Sequence, residues 1–507
     1  MEHVKEIALD LSKGLGEWAL AAGRFFQSAQ THFLHLYQEE SDPRAQTIPL
    51  FENTLFVLAL FRSRLVEQIQ EGKGVLRRLL AFQKKDDSLD QGNFPLYLHQ
   101  YPHCQDPALA LLLLAPFYWI LKQFGHVLGA DLRSELEGSA RLALDHSLRS
   151  HQEKTFPYHL AVRLAAAELA YGLMWNDSEK MIAGQHALEQ LAEDQLKGWN
   201  TTKQLADILV GLQMVYPSLA QSPWSPLWKK MKETWHPTLA SYLGPCLREW
   251  QNGEEPQVNL YDLFCGFFSG HFSKRATLLN RHHLEGILIQ PPLIGEKGTP
   301  LDTFHFSAPP FSIDGEFKQQ VWRTLVYSNH ACHLLEKKAP LAPTLDKTYT
   351  PIRLVWGDLQ RFHSFVCQGG NVEKCNFYED GSRLTMEFSL ADQSMEEGEG
   401  EQKKEIEFFM DIHRDIQFHI NGLPATTFCL GETLDILFKR HRLSLVFDLI
   451  EGKGDFLGHI MLGNRPSQID LKGEKRFQAY DWTIFLRTIR RQTGCRFRLQ
   501  LTFEAIT

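Results

Sequence analysis

The chain has 507 residues, which is enough for two or three domains that each bury their own core. Its hydrophobic fraction of 43% and charged fraction of 22% are those of an ordinary globular protein. The net charge of −8 argues against a nucleic-acid partner because it implies no basic face.

The eight cysteines are scattered, with no C-x-x-C pair and no Cys/His cluster at zinc spacing, so we predict no metal centre. Thinly spread thiols in a long chain are typical of a reducing compartment. The amino terminus lacks a basic segment followed by an apolar core, which indicates no secretory signal. The most apolar run, residues 108–121, is 14 residues long and contains Pro116, so we predict a buried helix. The sequence therefore predicts a cytoplasmic protein without membrane insertion.

Helical periodicity dominates the amino-terminal part of the chain. Apolar residues recur at spacings of three and four in residues 50–70, 108–128, 134–150, 160–175, 180–196, 201–216 and 259–272. Asp106 precedes Pro107 as an N-cap acid precedes a first-turn proline. Helices joined by such loops form a right-angled bundle, a solenoid or a ring.

A repeated phrase favours the solenoid or the ring. "GNFPLYLHQY" (92–101) and "KTFPYHLAVR" (154–163) each place Phe-Pro, Tyr and His before an apolar helix. A repeat of about 60 residues suits a helical hairpin, because one hairpin cannot bury its face alone and must stack on its neighbour. We therefore predict that the two phrases mark equivalent loop-to-helix corners at one end of the array.

Period-two alternation appears after residue 345. It covers residues 352–356, 363–368, 382–390, 404–412, 416–421, 442–450, 456–462, 482–490 and 495–505. Turn residues such as Asn421-Gly422 separate these segments, as in an antiparallel β-sandwich. Residues 391–405 predict a charged hairpin loop, and five prolines in residues 289–315 indicate a connector.

The fold prediction is therefore an α/α toroid or helical-hairpin solenoid over residues 1–288 and an antiparallel β-sandwich over residues 346–507. Residues 289–345 form the proline-rich connector between them. This element order resembles the polysaccharide lyases of the heparinase and hyaluronate lyase type, which have an α/α toroid and a carboxy-terminal sandwich. The resemblance covers the whole chain and implies β-elimination on an acidic polysaccharide in a cleft between the two domains.

Such lyases need a group that neutralises the uronate carboxylate, a base for the C5 proton and an acid for the leaving oxygen. Residues 259–276 contain suitable types: Asn259, Tyr261, His271 and Arg275. His271 and Arg275 share a helix face at i and i+4, whereas Asn259 and Tyr261 diverge by about 200° on one continuous helix. The alternative for this segment is a buried aromatic helix with polar ends.

The tyrosines and histidines of the repeated phrase are the second set of candidates. We predict that Tyr158 and His159 transfer protons and that Tyr97 and His99 bind sugar. In the alternative, Phe-Pro fills the gap between hairpins and the Tyr and His side chains only satisfy backbone groups.

Arg465 follows a glycine-punctuated run in the predicted sandwich and is a further candidate for substrate binding. The sequence has no G-x-S-x-G motif, no Walker loop and no G-x-G-x-x-G after a strand, so we predict no cofactor. Two functions remain open at this point. One is a lyase-like enzyme acting on a polysaccharide or oligosaccharide, and the other is a non-catalytic scaffold or binding protein with the same architecture.

Overall fold

The computed structural model of the chain contains two compact units. It describes residues 8–9, 15–37, 46–199, 201–236, 241–242, 276–277, 309–317, 320–337, 350–358, 361–380, 383–391, 403–411, 416–438, 440–466 and 480–506. The first unit contains the described residues up to 242 together with residues 276–277, and the second contains those from 309 onward.

The first unit is helical over most of its described residues. Its helices are α1 (Leu15–Phe26), α2 (Leu50–Arg62), α3 (Val66–Leu80), α4 (Leu109–Leu128), α5 (Ala130–Glu153), α6 (Tyr158–Trp175), α7 (Ser178–Ala192), α8 (Thr202–Val215) and α9 (Ser225–Thr234). A 3₁₀ turn covers Leu98–Gln100. Two-residue strands pair as β1 (Ala8–Leu9) with β6 (Ala276–Thr277), β2 (Leu36–Tyr37) with β3 (Gln46–Thr47), and β4 (Trp235–His236) with β5 (Ser241–Tyr242).

Short links turn consecutive helices into antiparallel hairpins. Residues 63–65 join α2 to α3, with Arg64 at a left-handed φ of 60°, so the periodic stretch 50–70 is two helices and not one. Gly129 alone joins α4 to α5 at φ 83°, a conformation that costs glycine little. Asn176 ends α6 in the left-handed region, and the Asp177 side chain caps α7 by accepting from Lys180 N.

The even-numbered helices form the core of this unit. Helix α4 packs against α2, α6 and α8, and it is buried on most sides. It is long and apolar enough to cross a membrane by length and composition, and no other helix in the described part of the chain is. The Tyr171 hydroxyl of α6 donates to the Leu114 carbonyl of α4 over 2.8 Å, and Phe61 of α2 stacks on Phe124 of α4. Helices α3, α5 and α7 bury fewer of their residues, as expected for an outer layer.

The second unit is built from antiparallel strands. They are β7 (Phe311–Phe317), β8 (Gln320–Val326), β9 (His330–Lys337), β10 (Ile352–Asp358), β11 (Arg361–Gly370), β12 (Val372–Asp380), β13 (Arg383–Leu390), β14 (Lys403–Met410), β15 (Gln417–Ile420), β16 (Leu423–Pro424), β17 (Thr427–Phe428), β18 (Thr433–Phe438), β19 (His441–Glu451), β20 (Gly454–Pro466), β21 (Tyr480–Arg491) and β22 (Arg496–Ala505). Within the described residues, the larger sheet has the order β17-β20-β21-β14-β11-β10-β9-β8-β7. The smaller sheet has the order β12-β13-β22-β19-β18-β15-β16.

Aromatic side chains join the two sheets face to face. Phe408 of the larger sheet contacts Phe388 and Phe447 of the smaller sheet, with ring centroids 6.4 and 6.0 Å apart. Trp356 of the larger sheet lies 5.0 Å from Phe438 of the smaller one. These contacts confirm the predicted sandwich, because the period-two alternation sends one side of each strand into the shared core.

A buried ion pair lies inside the second unit. Arg491 Nε donates to Glu405 Oε1 over 2.7 Å, and the two side chains are 1% and 0% exposed. Arg491 Nη2 also donates to the Ala391 carbonyl. The interaction therefore holds both ends of the predicted loop 391–405, of which residues 392–402 lie outside the described residues.

Several strands were not predicted. Residues 311–337, predicted as connector, form β7, β8 and β9, and β9 pairs with β10. Residues 320–326, "QVWRTLV", do alternate, and Pro309-Pro310 lies just before β7. Strands β12 and β18 were also not predicted. The turn Asn421-Gly422 was predicted correctly: both residues have positive φ, 49° and 83°, and they join β15 to β16.

Candidate active site

The first turns of α2 and α4 lie at the same end of the helical unit. Residues 93–98, which include the Phe-Pro of the first phrase, form hydrogen bonds with both helix starts. Leu50 N, at the start of α2, donates to the Leu96 carbonyl over 3.1 Å. At the other end of the segment, the Asn93 side chain accepts from Ala110 N in the first turn of α4 over 3.2 Å. One loop therefore holds the two helix starts side by side.

Arg163 extends this arrangement to α6 and α8. It is 2% exposed, and its Nη2 donates to the Leu112 carbonyl in the second turn of α4 over 2.9 Å. Its Nη1 donates to Asp207 Oδ1 in the second turn of α8 over 2.8 Å. The amino-terminal turns of α2, α4, α6 and α8 are thus neighbours, and we call this end of the helical unit the N-terminal rim.

Both copies of the repeated phrase lie at the N-terminal rim, as predicted from the sequence. Each belongs to the connection from an odd-numbered helix to the next even-numbered one. The copies differ in detail. Pro157 directly precedes α6, whereas the first Phe-Pro leads into the 3₁₀ turn and α4 begins only at Leu109. The residue Tyr97 instead forms a bridge with Pro49, next to the start of α2.

Tyr97 and His99 form a stacked pair in the first copy. Their ring centroids are 5.8 Å apart and their planes differ by 10°. His99 is exposed and Tyr97 is half-buried, so the pair presents a ring edge and an imidazole to solvent at the rim. This geometry is compatible with a sugar contact, which remains a prediction.

Tyr158 has a different environment. Its hydroxyl donates to the Leu191 carbonyl over 2.6 Å. Its ring packs against Gly198 so closely that a Cβ at that position would lie 2.3 Å from Tyr158 Cγ. Burial, and then the charge of Asp194, raise the pKa of the Tyr158 hydroxyl above its usual value. A hydroxyl held in this way is a poor proton donor or acceptor at neutral pH.

His159, the next residue, lies close to a carboxylate. Its side chain is 15% exposed, and its Nε2 lies 4.0 Å from Asp207 Oδ2, beyond hydrogen-bond distance. Burial lowers the pKa of His159, Asp207 opposes that shift, and the cations Lys203 and Arg163 add to it. The lowered pKa favours the neutral imidazole, which is the form that can accept a proton.

Glu52 supplies a carboxyl group with the opposite shift. It lies in the first turn of α2 and is half-buried. Burial raises the pKa of Glu52, while its own backbone hydrogen bond and the nearby charge of Lys203 lower it. Lys203 is exposed in the first turn of α8 and acts on both Glu52 and His159. We call Glu52, His159, Arg163, Lys203 and Asp207 the rim cluster.

Sequence reasoning found only His159 of these five residues. Three of the others, Glu52, Lys203 and Asp207, are 44 or more positions away from it along the chain. The fourth, Arg163, lies within a stretch predicted as an apolar helix. One signal was visible: Arg163 interrupts the otherwise apolar stretch "LAVRLAAA" (160–167). A charged residue on a buried helix face needs a partner, and that partner is Asp207.

The remaining predicted site residues are not part of this cluster. Asn259, Tyr261, His271 and Arg275 lie outside the described residues. Arg465 lies on β20 in the second unit, where its Nε pairs with Asp481 Oδ2 at 2.9 Å and its guanidinium lies 5.1 Å from the Phe409 ring centroid. Among the described ranges, no group of three His, Cys, Asp or Glu side chains could hold a metal ion.

Two solved lyase structures are similar to this chain. No family model and no curated protein matches it. A heparinase III is 10% identical with a TM-score of 0.40, and the match covers 100% of this chain and 87% of the other. A variant of the chondroitin AC lyase from Streptomyces coelicolor A3 is 10% identical with a TM-score of 0.45, covering 98% and 80%. Neither similarity assigns a role to any residue here.

Proposed function

We propose that this protein is carbohydrate-active and cleaves an acidic polysaccharide by lyase-like β-elimination at the rim cluster. One observation carries the proposal. The His159 imidazole, whose pKa is lowered, and the Glu52 carboxyl, whose pKa is raised, both lie close enough to the exposed ammonium of Lys203 to feel its charge. Burial therefore favours the uncharged form of each group, and these are the forms in which an imidazole accepts a proton and a carboxyl group donates one.

The three groups match the three needs of elimination on a uronate. Lys203 would neutralise the carboxylate at C5, which makes the C5 proton more acidic. His159 would take that proton as the C4–O bond breaks and the C4=C5 double bond forms. Glu52, in its protonated form, would give its proton to the leaving oxygen. No water is consumed, and solvent restores the two side chains afterwards.

The surroundings favour an anionic ligand over a neutral one. Four helices direct their amino-terminal turns to this rim, and each carries a partial positive charge there. Lys203 adds a full charge that is accessible to solvent. The stacked pair of Tyr97 and His99 lies at the same rim and would contact a neighbouring sugar ring.

The test is a panel of uronate polysaccharides, with the ultraviolet absorbance of unsaturated uronate as the readout. We expect product from the wild-type protein with at least one of them. His159→Gln and Glu52→Gln should each lower the rate by about 10²-fold or more, since a positioned acid or base contributes about 10²–10⁴-fold. His186→Ala, on the exposed side of α7, is the matched control and should keep the wild-type rate. A folded wild-type protein that gives no product with any substrate would refute the proposal.

The second candidate is a binding or scaffold protein that keeps this architecture without the chemistry. The Tyr158 hydroxyl favours it, because that group is used to join α6 to the end of α7 and is not directed to a ligand. Calorimetric titration separates the two functions. Saturable binding of a uronate oligosaccharide without product, weakened by Lys203→Met, would support the binding protein.

A further inference from the structure

Asp207 divides its two carboxylate oxygens unequally between Arg163 and His159. The Arg163 Nη1 to Asp207 Oδ1 distance is 2.8 Å, whereas the His159 Nε2 to Asp207 Oδ2 distance is 4.0 Å. The carboxylate is thus paired with the guanidinium and only close to the imidazole. At 4.0 Å the imidazole makes no hydrogen bond to Asp207.

The position of Arg163 is costly for the fold. Its guanidinium is buried, and its Nε has no hydrogen-bond partner although Nη1 and Nη2 are paired. A buried arginine with an unsatisfied donor is destabilising compared with an apolar side chain of similar size. Such an arrangement on a buried helix face calls for a reason other than stability.

We propose that Arg163 is a positioning residue for His159, because it holds the Asp207 carboxylate and thereby leaves the imidazole free to accept a proton from the substrate. This inference rests on the proposed role of His159 as the base. It goes beyond that role by naming the buried residue that sets it. Arg163 itself contacts no substrate, since it is enclosed by α4, α6 and α8.

The charges around His159 give the sign of the effect. Asp207 of α8 favours the protonated imidazole, while Arg163 of α6 and Lys203 of α8 oppose it. Replacing Arg163 by an apolar residue removes one opposing cation and also releases Asp207 towards the ring. Both changes act in the same direction and stabilise the imidazolium. An opposite charge within about 4–6 Å shifts a pKa by roughly 1–3 units.

The experiment measures the pKa of His159 without any substrate. Diethyl pyrocarbonate modifies neutral imidazoles, so its rate at His159 as a function of pH, read by peptide mass spectrometry, gives the titration. We expect Arg163→Met to raise the pKa of His159 by about one unit or more. Asp207→Asn should lower it. In the Asp207→Asn background, Arg163→Met should raise the pKa of His159 by less than it does in the wild-type protein, because only the loss of the cation then acts. His99, outside the cluster, is the internal control, and its modification rate should be the same in all of these proteins.

One further variant and a fallback keep the test decisive. Arg163→Lys retains the cation and should leave the pKa of His159 near the wild-type value. If Arg163→Met does not fold, Asp207→Asn still tests the coupling, because an unchanged His159 titration there refutes it. The proposal is also refuted if Arg163→Met raises the pKa of His159 equally in the wild-type protein and in the Asp207→Asn protein, since Asp207 would then have no part in the effect. A wild-type protein that cleaves no uronate would instead refute the proposed function.

Discussion

Asn53 offers a quantitative test of how the N-terminal rim is held. It follows Glu52 in the first turn of α2, and its side chain is fully buried. Its Oδ1 accepts from Leu34 N over 2.7 Å. Its Nδ2 donates to the Leu34 carbonyl over 3.2 Å and to the Pro49 carbonyl over 2.7 Å. One side chain therefore fixes both the start of α2 and the segment that follows α1.

The cost of Asn53→Ala follows from these three hydrogen bonds. Each contributes about 1 kcal/mol net, and a buried Leu34 N–H left without a partner adds about 1–3 kcal/mol. We therefore expect the free energy of unfolding to fall by about 4–6 kcal/mol. Urea unfolding followed by far-ultraviolet circular dichroism, which reports the helical unit, measures it. Gln70→Ala on the exposed side of α3 is the control and should stay within about 0.5 kcal/mol of wild type.

Asn53→Asp sharpens the same test through pH. The ionised carboxylate would still accept from Leu34 N, but its second oxygen would face two carbonyl oxygens. At acidic pH the protonated group can again donate to one of them. The variant should therefore lose more stability at pH 7 than at about pH 4. A loss below about 1 kcal/mol for Asn53→Ala, or no pH difference for Asn53→Asp, would refute the reasoning.

Three further changes test other parts of the molecule. Burial raises the pKa of Glu52 above its ordinary 4.5, so this carboxyl group binds a proton more tightly in the folded protein than in the unfolded chain. The stability of the protein therefore falls as the pH rises from about 4.5 through the pKa of Glu52 in the folded state. Glu52→Gln should thus raise the melting temperature at pH 7 and flatten this pH dependence; a lower melting temperature would contradict it. Arg491→Met removes the cation that pairs with the buried Glu405, which keeps its hydrogen bond from Asn371, and should cost about 3–5 kcal/mol. The loss should appear as faster hydrogen exchange in β14 and β21, while exchange at the wild-type rate would rule out a stabilising pair. Gly184→Ala would place a Cβ 2.5 Å from a backbone nitrogen of α6, and its free energy of unfolding in urea should fall by about 1–3 kcal/mol. Gly74→Ala, with open space around the new Cβ, should instead raise the free energy of unfolding by about 0.5–1 kcal/mol. Equal effects of the two changes would refute the packing argument.

The amino-acid sequence by itself determined the order of the architecture. Periods of three and four over residues 108–128 and of two over residues 442–450 reflect which side of a helix or strand is buried, and both periods are local properties. The helical hairpins and the antiparallel sandwich could therefore be predicted. The strands at 311–337 could not, because their alternation is short and follows a proline-rich segment, and only pairing with β10 makes them part of the sheet.

Only the tertiary structure decided the composition of the rim cluster. His159 was found because it belongs to a repeated phrase, but Glu52, Lys203 and Asp207 come from helices 44 to 107 positions away from it. No local pattern links these side chains. They meet because α2, α6 and α8 start at the same end of one core, and their pKa shifts follow from burial and from charges supplied by neighbouring helices. Hydrophobic periodicity is a property of one segment of the sequence, whereas proximity between segments arises only when their apolar faces pack together.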